Sequence, residues 1–498
     1  MFKNFPGYKV LEKLQKNKSH KRERKFPLNA IKFIFIIAIT LVIALLPTES
    51  FGLGANFTVI HQRIIALFVF AALMWLTETM PSWVTSMVVV TVMLFTVSTS
   101  AFNFLRPADE TTLVPFKSIF ACFSNPTIML FIGGFVLAIG LTKVKLDVVL
   151  ARVLLKPFGT RSEVVLLGFI LVTAIFSAFV SNTATAAMML AFLTPVLRSL
   201  PADGKGRIAL ALAIPVGANL GGMMTPIGTP PNMIALDYLS SQGMGISFVD
   251  WTIKMAPFVI LLLVLAWLLL RIMFPFKQKS IKIEIEGDVK WNYKTWSVVV
   301  AFAVTIFMWM FGTDMWGIDT NVVAMIPIAI FCATGILTRR DLEEINWSVL
   351  WMVAGGFALG VALNYTNGTS PALSDLIVKS VPFDSFHPLV VMVLAGLICF
   401  GFSNFISHSA ATSLLVPVLG VVASGIGGAL DSYGGAQAML VGIAIASSVS
   451  MILPISTPPN AIAHSTGFIE QKDMMKVGII IGLLGLVLGY AMLIFIGF

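Results

Sequence analysis

Charge is what this chain has least of. Only 11% of its 498 residues are Asp, Glu, Lys or Arg, while 57% are hydrophobic. An ordinary soluble domain carries about 25% charged residues. So little charge on so long a chain cannot cover a water-facing surface, and the mean hydropathy of +0.93 agrees. A soluble enzyme, a disordered chain and an ordinary nucleic-acid binder are excluded. Cysteine is scarce too: Cys122, Cys332 and Cys399 all sit in apolar runs, where they read as core residues and form no disulfide framework or metal spacing. Paired carboxylates, a nucleophile with a base and a nucleotide-binding motif are all missing, which argues against an enzyme or an ATP-driven machine. No cofactor is implied, and no internal hydrophilic stretch is long enough for a soluble domain.

What the chain does have is apolar runs, recurring from 29–48 to 474–497. This is the pattern of an all-α polytopic membrane protein. The net charge of +9 is concentrated at the start, where nine of the 33 Lys and Arg precede residue 27. A basic leader beside an apolar run is the usual cytoplasmic flank of a first span. The run 29–48 is too long for a signal h-region, so it is expected to stay as an anchor. Basic loops at 143–161, 198–207, 277–294 and Arg339-Arg340 mark the cytoplasmic side. Acids at Asp237, Asp250, Asp314, Asp319 and Asp431 mark the external one. Segments 164–197 and 386–424 then begin and end on the same side. Each is either a re-entrant hairpin or a pair of full spans, and loop charge does not separate the two.

The chain also repeats itself. Gly133-Gly134-Phe135, Ser181-Asn182 and Pro195-Val196-Leu197 recur 222 residues later as Gly355-Gly356-Phe357, Ser403-Asn404 and Pro417-Val418-Leu419. Thr229-Pro230-Pro231-Asn232 recurs as Thr457-Pro458-Pro459-Asn460, 228 later. Four matches in order mark a duplication. With hairpins, each copy holds five spans and one hairpin. Five is odd, so the copies are inverted, and an extra N-terminal span brings the total to about 11 spans and two hairpins. The N-terminus is expected in the cytoplasm and the C-terminus outside. The expected organisation is a leader over 1–27, scaffold parts over 28–160 and 277–385, and transport parts over 161–276 and 386–498.

The repeated elements are nearly free of charge but carry polar breaks, at Ser177–Thr185 and at Thr225–Asn232. A Pro-Pro pair with Gly cannot continue a helix, and freed backbone at membrane depth is tolerated only inside protein or along a wet cavity. Half-helix N-termini at such breaks aim N–H groups at an anion, and unwound carbonyls hold a cation such as Na⁺.

At these residues the chain resembles the divalent anion/sodium symporters, a family of bacterial dicarboxylate carriers and animal citrate carriers. The resemblance runs from the second span to the C-terminus. It implies a Ser-Asn-Thr motif at each hairpin tip, here Ser181-Asn182-Thr183 and Ser403-Asn404-Phe405, the second with Phe in place of Thr. It further implies a first sodium site at Ser177, Ser181, Asn182 and Gly228, and a second at Ser403, Asn404 and Ser456. The substrate would be lined by Asn182, Thr183, Thr229, Pro230, Asn404, Thr457 and Pro458. His408, one helical turn after Asn404, is a candidate charge compensator for the second half. The implied protein is a plasma-membrane homodimer in lipid that moves dicarboxylates by an elevator mechanism, as a sodium symporter or an exchanger. Citrate or sulfate transport by the same fold, or an anion channel, are the alternatives.

Overall fold

The computed structural model describes residues 30–497, except 109, 202–203, 282–288, 369 and 383–385. The basic leader and the middle of the polar segment 277–294 therefore lie outside the described residues. The described chain is helical, its only β-pairing two isolated bridges.

The first copy is preceded by α1 (Ala30–Leu45). It then runs through α2 (Val59–Thr77), α3 (Ser82–Thr96), α4 (Phe116–Ala121) and α5 (Pro126–Lys143). A short α6 (Leu146–Leu155) leads into the hairpin α7 (Ser162–Phe179) and α8 (Asn182–Ser199). A broken segment follows, α9 (Lys205–Gly221) and α10 (Pro230–Ser241), and α11 (Phe248–Met273) closes the copy. The second copy repeats the order. It has α12 (Tyr293–Trp316), the pair α13 (Thr320–Val323) and α14 (Met325–Ala333), a short α15 (Arg339–Glu343), α16 (Trp347–Asn364) and a short α17 (Leu373–Ser380). The second hairpin is α18 (Pro388–Ser403) and α19 (His408–Ile426). The second broken segment is α20 (Gly435–Ser448) and α21 (Pro458–Ser465), and α22 (Gln471–Phe495) ends the chain.

Among the described residues, eight helical segments are long and apolar enough to cross a membrane, and five shorter apolar helices accompany them. α12 shows why the bilayer suits them. Trp296, Val300, Val304, Phe307, Phe311 and Met315 form one exposed apolar stripe at helical spacing. Trp296 and Trp316 stand about 30 Å apart along the axis, the thickness of the hydrocarbon core, where tryptophans anchor at both interfaces.

The inversion is visible in the two broken segments, which run antiparallel. Arg207 near the start of α9 stacks 4.4 Å from Phe468, just past the end of α21. At the other end Gln437, early in α20, donates to the Met244 carbonyl just past α10 at 3.1 Å. Small residues let the layers meet. A Cβ on Gly217 would stand 2.7 Å from the Ile170 carbonyl, and Gly221 abuts the Ala174 backbone, so α9 lies directly on α7.

Three expectations are corrected here. Cys122 and Cys399 are buried, but Cys332 is exposed on the outer face of α14. The segment 143–161 is not all loop, because Leu146, Val148, Ala151 and Leu155 give α6 a buried face. Asp237 is no loop acid. α10 continues to Ser241, which places Asp237 inside a helix, where it accepts a hydrogen bond from Thr127 of α5 at 2.7 Å.

Candidate functional site

Both hairpin turns and both helix breaks open onto one cavity of about 470 Å³. In the first hairpin α7 ends at Phe179, and Val180 turns the chain in extended conformation (φ −124°, ψ 150°). Ser181 then caps α8 by accepting the Ala184 N–H at 3.3 Å. Asn182 and Thr183 follow on the cavity wall. The first break places Gly228, Thr229 and Pro230 beside them, and the second contributes Ser456, Thr457 and Pro458. Asn232 and Asn460 hold the two breaks in equivalent ways. Asn232 donates to the Gly222 and Thr225 carbonyls at 3.1 and 2.8 Å. Asn460 donates to those of Met451 and Leu453 at 2.8 and 3.1 Å.

The second hairpin differs from the sequence reading. Its turn has four residues, Asn404 to Ser407, where the first has two. Ser407, not Ser403, is the capping serine, accepting the Ala410 N–H at 3.2 Å. His408 and Ser409 follow it on the cavity wall, in the places of Asn182 and Thr183. A helix begins where a hydroxyl can satisfy its free N–H groups, and the geometric repeat thus has an offset of 226 at this hairpin. Ser403 is then the counterpart of Ser177, each buried in the last turn of its first arm.

Asn404 is absent from the cavity wall. It is buried and held on both sides: its Nδ2 donates to the Phe400 carbonyl at 2.7 Å and its Oδ1 accepts the Ile452 N–H at 2.9 Å. The Ser456 hydroxyl donates to its backbone carbonyl at 3.1 Å. Phe405 turns outward, 63% exposed, so the missing threonine there takes no contact from the cavity. Asn404 and Ser456 do come together, but as a brace between the second turn and the second break, with Asn404 Oδ1 accepting from Ile452 and Ser456 Oγ from the Leu453 N–H, while the Ser403 hydroxyl contacts Cys399 at 3.8 Å instead.

The first half offers the opposite balance. The Ser177 hydroxyl lies 2.6 Å from Asn182 Oδ1 and 2.7 Å from the Ala218 carbonyl. The Ala218 carbonyl also accepts the Gly222 N–H at 3.2 Å, while Asn182 Oδ1 and the Ser177 hydroxyl share one proton, and a cation such as sodium suits such an oxygen-rich cluster. Gly222 permits it, because a Cβ at that position would stand 2.5 Å from Asn182 Oδ1. Thr225 donates to the Ala178 carbonyl nearby. Sodium would be held by Ser177, Asn182 and the adjoining backbone.

Among the described residues no Asp, Glu, Lys or Arg lines the cavity, and its one titratable lining residue is His408. His408 Nε2 is 2.6 Å from the Ser450 carbonyl. A carbonyl can only accept, so Nε2 carries a hydrogen and Nδ1 remains for a ligand. Four helices, α8, α10, α19 and α21, start at the cavity, and their N-termini make it favourable to an anion without any cationic side chain. Asn219 also lines it, a residue that motif reading overlooked. The available signal was its isolation, as the only strongly polar side chain in 208–224.

The geometry is that of a multi-pass membrane protein with an uncharged cavity between two hairpin turns, and comparison with known proteins gives its family. The family described as citrate transporter (CitMHS) matches residues 72–442, and the chain belongs to that family. It is 30% identical over 466 residues to an uncharacterised transporter of Haemophilus influenzae, covering 90% of this chain and 94% of that one. It is 27% identical to the sodium-dependent dicarboxylate transporter SdcS of Staphylococcus saprophyticus, over 85% of this chain and 84% of that one. It is 26% identical to the inorganic phosphate transporter PHO87 of Saccharomyces cerevisiae, over 91% of this chain but 47% of the yeast protein, so it spans about half of that relative. The crystal structure of the Alcanivorax borkumensis YdaH transporter shares the fold, with a TM-score of 0.52 and 12% identity over 83% of this chain and 96% of that one.

Proposed function

We propose that the protein is a secondary active transporter of dicarboxylates of the succinate, malate, fumarate or α-ketoglutarate class. One observation carries the reading: two hairpin turns and two helix breaks, one pair from each inverted copy, enclose a single cavity without charged side chains. An anion at membrane depth is costly unless neutralised. Helix N-termini, the hydroxyls of Thr183, Thr229 and Thr457, the Asn182 amide and a sodium ion at Ser177, Ser181, Asn182 and Gly228 supply the neutralisation. In the second half His408 takes the part of compensator by gaining a proton on Nδ1 when the anion binds. The chain works in the plasma membrane as a homodimer, with its N-terminus cytoplasmic and its C-terminus external. Residues 161–276 and 386–498 move as the elevator against the scaffold of 28–160 and 277–385. Coupling is by sodium symport or by exchange.

Citrate is the second reading, favoured by the family description, and phosphate enters the test through the yeast relative. The test is uptake of labelled succinate, citrate and phosphate into proteoliposomes, with and without a sodium gradient and with and without internal dicarboxylate. Saturable succinate uptake driven by sodium or trans-stimulated by internal anion supports the proposal. Saturable uptake of citrate or phosphate alone replaces the substrate, and non-saturating flux defeats the carrier reading.

A further inference from the structure

The orientation of the Asn219 amide is fixed by its surroundings. Asn460 spends its Nδ2 on the Met451 and Leu453 carbonyls, so only its Oδ1 faces α9. Asn219 therefore turns its own Nδ2 outward, to Asn460 Oδ1 at 3.1 Å and to Thr457 Oγ1 at 3.2 Å. Thr457 Oγ1 also accepts the Asn460 N–H at 3.2 Å. A hydroxyl oxygen that accepts twice has used both lone pairs and is left with a proton to donate. Thr457 stands on the cavity wall.

Two further facts argue against a merely structural amide. Asn219 is 1% exposed, yet its Oδ1 has no partner, and an unpaired buried acceptor is a poor brace. The first half also lacks the arrangement. The counterpart of Asn219 is Ser447, which donates instead to the His408 carbonyl at 3.0 Å, and the Thr229 side chain makes no capping bond.

We propose that Asn219 is a positioning residue that makes Thr457 an obligatory hydrogen-bond donor to the transported anion. The Thr457 side of the cavity then takes a fully ionised oxygen, while the Thr229 hydroxyl, which makes no capping bond, can serve as donor or acceptor. The proposal rests on the reading of the cavity as the anion site.

The experiment is a double-mutant cycle on KM and maximal rate, using whichever of succinate, citrate or phosphate the uptake panel selects. Thr457→Val keeps the shape and removes the donor, and it should raise KM roughly tenfold, the equivalent of one hydrogen bond to an anion. Thr457→Ser keeps the donor and should stay near wild type. Asn219→Ala should raise KM about as much as Thr457→Val, with maximal rate little changed, and the double variant should be no worse than either single. Asn219→Ser, too short to reach Thr457, carries the same expectation if the alanine form does not fold. A wild-type KM in Thr457→Val contradicts the site itself. A tenfold rise in Thr457→Val with a wild-type KM in Asn219→Ala, or a roughly hundredfold rise in the double variant, overturns the positioning role alone.

Discussion

Gly222 gives the sharpest prediction about the first half of the site. Its backbone is helical (φ −59°, ψ −21°), so alanine fits the conformation and any effect is steric. The added Cβ would stand 2.5 Å from Asn182 Oδ1, where ordinary contact begins at 3.4 Å. The Asn182 amide must retreat by about 1 Å, which breaks its 2.6 Å contact with Ser177 and separates the three oxygens proposed to hold sodium. Losing a buried interaction of this kind costs about 1–3 kcal/mol, or roughly 5- to 150-fold in affinity. Gly222→Ala should therefore raise the half-saturating concentrations of sodium and of the anion by at least about fivefold, in proteoliposome uptake, without loss of fold by thermal melting. Gly401→Ala is the matched control. It lies in α18 with no atom within 4 Å of the new Cβ, so it should leave transport unchanged and stabilise the protein by about 0.5–1 kcal/mol. Wild-type affinities for both ligands in Gly222→Ala would refute the placement of Asn182 at the ion and anion site.

Two groups at the ends of the bundle have predictable pH behaviour. Burial raises the Asp147 carboxyl to about 6 against hydrogen bonds from Val148 and Thr142. An acid with a raised pKa costs stability as pH climbs from the unfolded value of about 3.9 to the folded one. Asp147→Asn should thus raise the melting temperature at pH 7.5, by up to about 3 kcal/mol of stability, with the gain shrinking toward pH 4; an equal gain at both pH values would contradict this. Asp341 is the opposite case. Burial alone would raise its pKa, but Lys143 at 2.5 Å and the Thr338 hydroxyl and N–H hold it below the usual range. Its contribution is present above about pH 4 and is lost as pH falls through the depressed folded value. Lys143→Met should cost about 2 kcal/mol at pH 7, less than a fully buried pair, and an unchanged melting temperature there would refute the assignment.

Much of the architecture is legible in the sequence because inverted repeats leave literal copies. The breaks at Thr229-Pro230-Pro231-Asn232 and Thr457-Pro458-Pro459-Asn460 are marked by proline pairs, which suit the first turn of a new helix rather than the continuation of an old one, and the structure starts a helix at each pair. The second hairpin is harder to read. Ser403-Asn404 repeats the letters of Ser181-Asn182, but the cap is set by which hydroxyl reaches free N–H groups, and a turn two residues longer hands that role to Ser407. His408 then stands on the cavity wall itself rather than one turn beyond it. Asn219 escapes a motif search, and Asp237 reads as a loop acid, for a different reason. Each draws its meaning from partners far away in sequence, Thr457 and Asn460 for the one and Thr127 for the other.

The central claim is that the anion lies between the two hairpin turns. An experimental structure with the transported anion bound tests it most directly. The account predicts density within hydrogen-bond distance of Asn182 or Thr183 on one side and of His408, Ser409 or Thr457 on the other. Density instead in the separate 660 Å³ cavity beside Asp237 and Tyr238, with the space between the turns empty, would contradict it.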